Sequence, residues 1–428
     1  MSIDQVMATL LKTLNIEVFP QSIQIMIAVS PVVLAVLLLI IFKDLWIDYV
    51  QAKNFLSIKY CVVEIKLPKD TFKSPAAMEV FLTALHNTSD GTPYAQYWKG
   101  ETRPWYSLEI ISVEGQVKFM IWMEERRKTN LVSAMYSQFP NVEVRDVEDY
   151  AKSVHFDPKT MKMWAGEFKF TKDDPYPIKT YVDYGLDKDP KEEFKVDPLL
   201  PFLEFLGSIG PNQQVWLQIP IIAHKDDQRL PGHIFKKGDL WKESAKELID
   251  EIMIRDPKTK GVAAENKKKG DIGEYLDIPR LSKGEQETVT SLERSVSKFA
   301  FDCGIRAIYI GQKEVFNTPM GVGGVVGSLK QFSAEGFNGF KPNGKKWSFQ
   351  FDYPWQDFMD IRKNRHCRMA LMAYKRRSYF YAPFSSKRLV LNTEELATIY
   401  HFPGSVSQTP TLERLPSKKA QAPSNLPI

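Results

Sequence analysis

The amino-acid sequence predicts an α+β protein in which one N-terminal transmembrane helix precedes two ferredoxin-like units in tandem, the second with a long insertion. Three observations lead to this prediction. An uncharged apolar run lies near the N-terminus. Strand-like and helix-like patterns then follow in the order β-α-β-β-α-β, the split βαβ arrangement. Part of that order recurs later, and 43% hydrophobic residues are enough to give each unit a core.

The apolar run predicts a retained membrane anchor at residues 22–43, after an N-terminal tail at 1–21. About 20 residues at ~1.5 Å each span a hydrocarbon core of ~30 Å. A cleaved signal peptide is disfavoured because the tail has no basic region and the run has no small-residue cleavage site. A buried core helix is the other alternative. The residues that mark the predicted anchor are Ile23, Pro31, Leu38 and Phe42.

Charge and cysteine usage predict which side of the membrane holds the bulk of the chain. The tail has one basic residue, Lys12, whereas three lysines follow the run: Lys43, Lys53 and Lys59. The positive-inside rule therefore places the C-terminal bulk in the cytoplasm. Three widely spaced cysteines agree with reduced thiols there: Cys61, Cys303 and Cys367.

The first ferredoxin-like unit is predicted at residues 44–155. A strand at 58–66 is followed by a helix with Ser74 as N-cap and Pro75 in its first turn. A hairpin then turns at Glu114-Gly115, with alternating apolar residues on both sides. A second amphipathic helix at 131–139 and a strand at Val142–Val144 complete the order.

The second unit is predicted at residues 156–345. Its strands lie at 167–170, 213–222 and 305–310, with helices after Asp197-Pro198 and at 289–299. A charged insertion at 223–284 interrupts the unit, and its lysine- and glycine-rich stretch at 258–273 predicts disorder. A basic and aromatic segment at 346–402 and a Pro-rich, linker-like tail at 403–428 follow. In the segment, residues 391–401 predict a helix capped by Thr393.

The sequence predicts no catalytic residue, no metal ligand and no cofactor. Gly339 to Lys346 nearly spells a phosphate-binding loop, but Lys346 stands where a Ser or Thr should hold Mg²⁺. The glycines of 321–327 are out of register for a dinucleotide loop and indicate a helix packed closely on a sheet. The six histidines show no metal-ligand spacing. We therefore expect a protein that is not an enzyme and has no evident small-molecule substrate.

The basic segment is the candidate binding site. Between residues 361 and 388 there are nine Lys or Arg and no Asp or Glu, interleaved with aromatic residues. This pattern fits a protein partner or internal packing, a nucleic acid, or anionic lipid headgroups. The residues predicted to bind an anionic partner are Arg365, Arg368, Lys375, Arg376, Arg377, Lys387 and Arg388.

Long collinear stretches at 105–150, 201–222 and 291–311, with GFNGFKP at 336–342 and residues 390–404, carry a family resemblance. Together they resemble the N-terminal region of membrane-anchored ATPases of type IV secretion and conjugative DNA transfer in candidate-phylum bacteria, related to the HerA and FtsK motors. The resemblance covers most of residues 45–425.

In that family a membrane helix and an α+β platform precede the motor, and a Pro-rich linker leads into it. Here the linker-like residues 403–428 end the sequence, and no catalytic residue of the family has a counterpart. The resemblance thus implies a single-pass scaffold in the bacterial inner membrane that docks a separate P-loop ATPase or further copies of itself. The alternative is a membrane-tethered nucleic-acid-binding protein that uses residues 361–388.

Overall fold

The computed structural model describes residues 5, 18–68, 74–187, 196–229, 237–253, 281–344, 351, 353–404 and 414–415. The chain divides into two compact units. One contains Met1–Ile58 and Asp90–Thr102, and the other contains Lys59–Ser89 and Arg103–Ile428. Each unit is described by itself below.

The smaller unit is built on one long helix, α1 (Val18–Ser57), which is 40 residues long. The helix therefore contains the predicted transmembrane segment 22–43 and continues 14 residues beyond it. No glycine or proline follows Pro31 within α1, so nothing in the sequence stops the helix after Phe42. The segment Asp90–Thr102 packs beside the C-terminal part of α1 and contains a π-helical turn at Ala95–Lys99.

In the larger unit, the first half confirms the predicted order β-α-β-β-α-β. Ser74 caps its first helix by accepting a hydrogen bond from the backbone N–H of Ala76. The hairpin turns at Glu114 and Gly115, which both have positive φ, as a two-residue turn between twisted strands requires. Its elements are β1 (Tyr60–Pro68), α2 (Pro75–Leu85), β2 (Trp105–Val113), β3 (Gln116–Glu124), α3 (Lys128–Gln138), β4 (Glu143–Val147) and the short α4 (Tyr150–Ser153).

The second half repeats this plan with additions. Its elements are β5 (Met161–Phe170), α5 (Leu200–Gly207), β6 (Gln213–Ala223), β7 (Gln228–Arg229), β8 (Lys237–Gly238), α6 (Leu240–Ile252), α7 (Lys283–Val296), β9 (Ala300–Cys303), β10 (Arg306–Gln312), α8 (Thr318–Leu329) and β11 (Phe340–Pro342). The glycine-rich stretch forms α8, which follows β10 as α3 follows β3 in the first half. The stretch 258–273, predicted to be disordered, lies outside the described residues.

The two halves join edge to edge into one antiparallel sheet. Strands β2 and β6 pair over nine residues, from Trp105↔Ile222 to Val113↔Gln214. The strand order is β4-β1-β3-β2 in the first half and β6-β10-β5-β11 in the second, so both halves have the same order seen from their shared seam. The predicted boundary between residues 155 and 156 thus lies in the connection between two halves of a continuous sheet.

One face of the sheet carries the apolar core. Helices α2, α3, α5 and α8 cover it, and their buried residues form one cluster with the strand residues that point the same way, among them Leu108, Leu217 and Ile121. This follows from the alternation of each strand, which sends every second side chain to the same face. The other face carries a row of polar side chains.

The predicted basic segment contributes elements to both faces. They are α9 (Ile361–Lys375), β12 (Leu389–Asn392) and α10 (Thr393–Ile399), followed by β13 (Arg414–Leu415). Strand β12 pairs with β9. The N-cap of α10 is Asn392 and not Thr393, because the Asn392 side chain and Glu395 form a reciprocal capping box. Most of the linker-like tail lies outside the described residues, although Arg414 and Leu415 pair in parallel with Leu67 and Pro68.

Candidate functional site

The predicted anchor lies in α1, which is long and apolar enough to cross a membrane. The qualifying part is Ala28–Ser57, and none of its most apolar 18-residue window is buried. Pro31 is inside the helix. Leu38 is 56% exposed and Phe42 63% exposed. Ile23 belongs to the first turns of α1, but its side chain lies outside the described ones.

The first part of the predicted anionic-partner site lies on α9. The buried residues Cys367, Ala370, Leu371 and Tyr374 recur at helical spacing and form its inner side. Cys367 Sγ lies 3.4 Å from the carbonyl oxygen of Met163 on β5, so α9 covers the polar face of the sheet. Arg365 and Arg368 are exposed on the other side of α9.

Arg376 and Lys387 are also exposed. The guanidinium of Arg376 lies over the Phe384 ring, 6.0 Å from its centroid. Lys375 is half-buried, and this burial lowers the pKa of its ammonium group. Four of the seven predicted residues therefore present a charge on the surface: Arg365, Arg368, Arg376 and Lys387.

Arg377 corrects the prediction, because its side chain is fully buried and cannot meet an external anion. Its Nε and Nη2 donate to the two carboxylate oxygens of Glu109 at 3.0 and 3.1 Å. Its Nη1 and Nη2 donate to Asp149 at 2.6 and 2.9 Å. The fifth N–H reaches the carbonyl oxygen of Lys375 at 3.0 Å. All five guanidinium donors are therefore satisfied inside the protein.

The electrostatic effect of this pairing is to keep Arg377 charged. Burial alone would lower the pKa of Arg377, but the charge and hydrogen bonds of Glu109 outweigh it and hold the pKa above its usual value. The Tyr150 hydroxyl donates to Glu109 Oε2 at 2.8 Å and lies 2.7 Å from the Tyr374 hydroxyl. Burial raises the pKa of both tyrosines, so both hydroxyls keep their protons.

The network continues across the seam into the second half. Gln218 on β6 donates through Nε2 to Glu109 Oε1 at 3.1 Å and accepts from Arg306 Nη1 at 3.3 Å. Arg306 in turn pairs with Glu167 on β5 at 3.0 Å. Because β5, β10, β6 and β2 are neighbours, these four side chains form one buried row across four strands. Buried polar groups of this kind are stable only when their partners are in place.

Arg388 belongs to a second cluster at the ends of β6 and β9. Its Nη1 lies 3.0 Å from Asp302 Oδ2. Asp302 also lies 2.5 Å from Nδ1 of His224, and the Nε2 of that histidine lies 3.1 Å from Asp239. Burial would lower the pKa of His224, but hydrogen bonds from its ring to Asp239 and Asp302 raise it to about 9. At neutral pH the cluster is therefore a charged imidazolium between two carboxylates.

Among the described residues, His224, Asp226 and Asp239 bring three possible metal-ligand atoms within 4.8 Å of one another. Both ring nitrogens of His224 already face carboxylates, and the raised pKa keeps the ring protonated. A protonated imidazole has no lone pair for a metal. The arrangement is suited to tying α6 to the sheet, because Asp239 is the N-cap of α6.

The glycine-rich motif has a packing role, as the sequence indicates. A Cβ on Gly321 would lie 2.2 Å from the Tyr309 ring of β10, and one on Gly324 would lie 2.1 Å from the Phe205 ring of α5. The motif that resembles a phosphate-binding loop begins at Gly339, one residue before the edge strand β11, and its last residues, Lys345 and Lys346, lie outside the described ones.

A family model described as a domain of unknown function (DUF8128) matches residues 56–414. The chain belongs to the DUF8128 family. The DUF8128 region begins one residue before the end of α1 and includes both halves of the sheet, α9 and α10. A comparison with curated proteins gives no match.

Sequence reasoning missed the row of buried polar side chains that crosses four strands of the DUF8128 region. Glu109, Gln218 and Arg306 each sit inside strands that otherwise read as apolar. A charged residue in the middle of a buried strand is a signal of a buried partner, since such residues are almost never fully buried unless paired. The partner itself cannot be read from local patterns, because Arg377 is 268 residues from Glu109.

Proposed function

We propose that the protein is a non-catalytic platform that α1 anchors in a membrane and whose two-half sheet meets partners. The exposure of α1 carries this proposal. Its run of Val, Leu and Ile from Val32 to Ile41 is unburied in the described structure. Burying one such side chain is worth about 1.5–3 kcal/mol, so a bilayer would stabilise this helix surface strongly. A helix also satisfies its own backbone hydrogen bonds in lipid.

We place the bulk of the chain on the cytoplasmic side of a bacterial inner membrane. Lys43, Lys53 and Lys59 follow the apolar run closely and support this orientation. The three cysteines are free, which agrees with a reducing compartment.

The machine that we propose is a type IV secretion or DNA-transfer apparatus, with a separate P-loop ATPase or further copies of this chain as partners. The support is the resemblance of residues 45–425 to the platform region of such ATPases. The exposed sides of α3 and α9 supply surfaces that a partner could use, with Tyr136 and Arg368 at the surface.

The anchor is tested by fractionation of cells that express the full chain. We expect the wild-type protein in the membrane pellet after alkaline extraction. Arginine at the centre of a membrane helix costs about 2.5–3.5 kcal/mol per residue, so Leu34→Arg/Leu38→Arg should shift protein to the soluble fraction. Leu56→Arg is the matched control, since Leu56 is 90% exposed on the same helix but beyond the apolar run. A soluble wild-type protein would contradict the anchor.

The partner is tested by photocrosslinking in cells from positions 136 and 368. We expect crosslinks to a P-loop ATPase of the transfer apparatus or to a second copy of the chain. Protease accessibility of the sheet in inside-out vesicles, but not in spheroplasts, checks the orientation. Crosslinks to periplasmic proteins would refute both the partner and the orientation.

A second candidate function is nucleic-acid binding, which the exposed charges of α9 favour. Arg365 and Arg368 have no ion pair among the described residues. In anisotropy titrations with single-stranded DNA, Arg365→Glu/Arg368→Glu should weaken binding and reduce the salt slope by about one per lost phosphate contact. Lys313→Glu/Lys330→Glu makes the same change in net charge at two other exposed lysines. Equal weakening in both variants would reject a specific site on α9.

A further inference from the structure

The segment Asp90–Thr102 is fastened to one side of α1 just beyond the apolar run. Trp46 Nε1 donates to the carbonyl oxygen of Tyr97 at 2.9 Å, and Asn54 Nδ2 donates to that of Gly100 at 2.9 Å. Gly100 has φ +70°, and a Cβ there would lie 2.3 Å from the carbonyl oxygen of Val50. Positions 46, 50 and 54 are four residues apart, so the segment follows one stripe of the helix.

This packing brings the rings of Tyr49 and Trp98 against the half-buried Trp46 and leaves four aromatic side chains of the unit at the surface. Tyr94 is 64% exposed, Trp98 63% and Tyr49 60%. The Trp46 ring lies 5.6 Å from the Trp98 ring and 6.1 Å from the Tyr49 ring. Tyr97 is also exposed. We call this cluster, Trp46, Tyr49, Tyr94, Tyr97 and Trp98, the aromatic collar.

The level of the collar along α1 matches the boundary between hydrocarbon and headgroups. Trp46 comes four residues after Phe42, which is about 6 Å of helix rise. The interfacial region on each side of a bilayer is about 5–8 Å deep. The Phe42 and Trp46 rings are stacked at 6.3 Å, so the exposed apolar surface of the run continues directly into the collar.

The chemistry of the collar fits that boundary. Trp and Tyr combine an apolar ring with one polar group and are enriched where membranes meet water. Lys99, whose ammonium group lies 5.7 Å from the Tyr94 ring centroid, adds positive charge beside the collar, and Lys43 lies nearby in an exposed pair with Asp44 at 3.5 Å. Lysine at this depth can reach anionic headgroups.

We propose that the aromatic collar is a lipid-binding surface that seats in the headgroup region of the bilayer and fixes the depth of α1. The occupant is the lipid surface itself, because the collar is continuous with the apolar run on the same helix. This inference rests on the proposed anchoring by α1. It adds a second contact with the membrane, made by Tyr97 and Trp98, which lie 51 and 52 residues after Trp46 in the sequence and pack against it.

The test uses the full chain in vesicles of phosphatidylethanolamine and phosphatidylglycerol, with part of the lipid brominated near the headgroup end of its acyl chain. Brominated lipid quenches tryptophan emission on contact. We expect the lipid-quenched part of the emission to fall by more than about half in Trp46→Phe/Trp98→Phe, since these two rings should supply most of it. Trp355→Phe is the control, because Trp355 is 76% exposed elsewhere in the chain. It should leave the lipid-quenched part unchanged.

Three outcomes overturn the proposal. If the double variant and the control lose the same lipid-quenched part, the collar is not at the bilayer. If iodide in the aqueous phase quenches the collar tryptophans while the protein stays with the vesicles, the collar lies in water. The lipid-binding role of the collar is then rejected, and the anchoring by α1 is kept. If neither quencher reaches them, a protein contact covers the collar. Loss of the wild-type protein from the vesicles would instead contradict the proposed anchor.

Discussion

The two halves of the sheet share one strand order but obtain the counter-charge for a buried glutamate in different ways. In the second half, Glu167 on β5 pairs with Arg306 on the adjacent strand β10. In the first half, Glu109 on β2 pairs with Arg377, which follows α9 and lies outside the sheet. The positive counter-charge of the first half therefore comes from a segment that is distant in sequence, whereas that of the second half comes from an adjacent strand of the same half.

This difference teaches that the basic segment has two kinds of arginine, buried ones that pair inside the protein and exposed ones at the surface, and that its sequence does not distinguish them. Arg376 and Arg377 are neighbours, yet one is exposed and the other is fully buried. The position of Arg377 fixes the end of α9 on the polar face, and the exposed arginines of α9 are then displayed from a fixed support.

The largest expected effect is from Arg377→Met. Removing one partner of a buried ion pair leaves the other charge uncompensated, so the free energy of unfolding should fall by about 3–5 kcal/mol. Arg376→Met should change it by less than about 0.5 kcal/mol, because Arg376 is exposed. Denaturant unfolding of the detergent-solubilised chain measures both.

Arg306→Met sharpens the comparison between the halves. We expect a similar loss of stability but a smaller release of α9. Arg306 reaches the segment after α9 through the carbonyl oxygen of Ser378 at 3.2 Å and the Tyr379 ring, whereas Arg377 directly follows α9 and makes two ion pairs. Limited proteolysis should then cut the Arg377→Met variant near α9 faster than the Arg306→Met variant. Equal cleavage of both would show that the two halves do not differ in this way.

The second effect concerns the cluster at His224, which belongs to the insertion of the second half and has no equivalent in the first. The pKa of His224 is about 9 in the folded chain, against an ordinary value of 6.5. Its stabilising contribution is therefore complete below pH 6.5 and is lost as the pH rises toward 9. The loss should be on the order of 2–3 kcal/mol.

His224→Gln is the variant for this prediction. It keeps a hydrogen-bonding side chain between Asp302 and Asp239 but cannot carry a charge. Unfolding measured from pH 6 to 9 should show a flatter pH dependence in the variant than in the wild type. Parallel curves would mean that His224 does not titrate in this range.

The smallest effect tests why the second half needs glycines in α8 while α3, its counterpart in the first half, has none. Gly324→Ala places a methyl group 2.1 Å from the Phe205 ring and should cost about 1–2 kcal/mol. Gly323→Ala meets nothing within 4 Å and should stabilise the chain by about 0.5–1 kcal/mol. Thermal unfolding of the two variants distinguishes the signs. A gain in both would mean that α8 and α5 are not tightly packed.

Local patterns predicted most of the first half. Alternating residues identified β2 and β3, and the cap at Ser74 was read correctly because caps and turns depend on neighbours in sequence. The close packing of α8 was also anticipated from its glycines, and Gly321 against Tyr309 confirms it.

Long-range pairing could not be predicted in the same way. Neither the β2–β6 seam nor the Glu109–Arg377 pair leaves a local signature, because each depends on the register of strands distant in sequence. The candidate binding site was therefore predicted as seven equivalent charges, of which the structure buries Arg377 and pairs Arg388 with Asp302. The prediction of an anionic partner for the exposed residues stays a prediction.

The short link between α1 and β1 has a mechanical consequence. Only two residues, Ile58 and Lys59, separate the end of α1 from the start of β1. Strand β1 is hydrogen-bonded on both sides, to β3 and to β4. Any tension on α1 therefore reaches β1 through a link of two residues, and the hydrogen bonds of β1 to both β3 and β4 resist it.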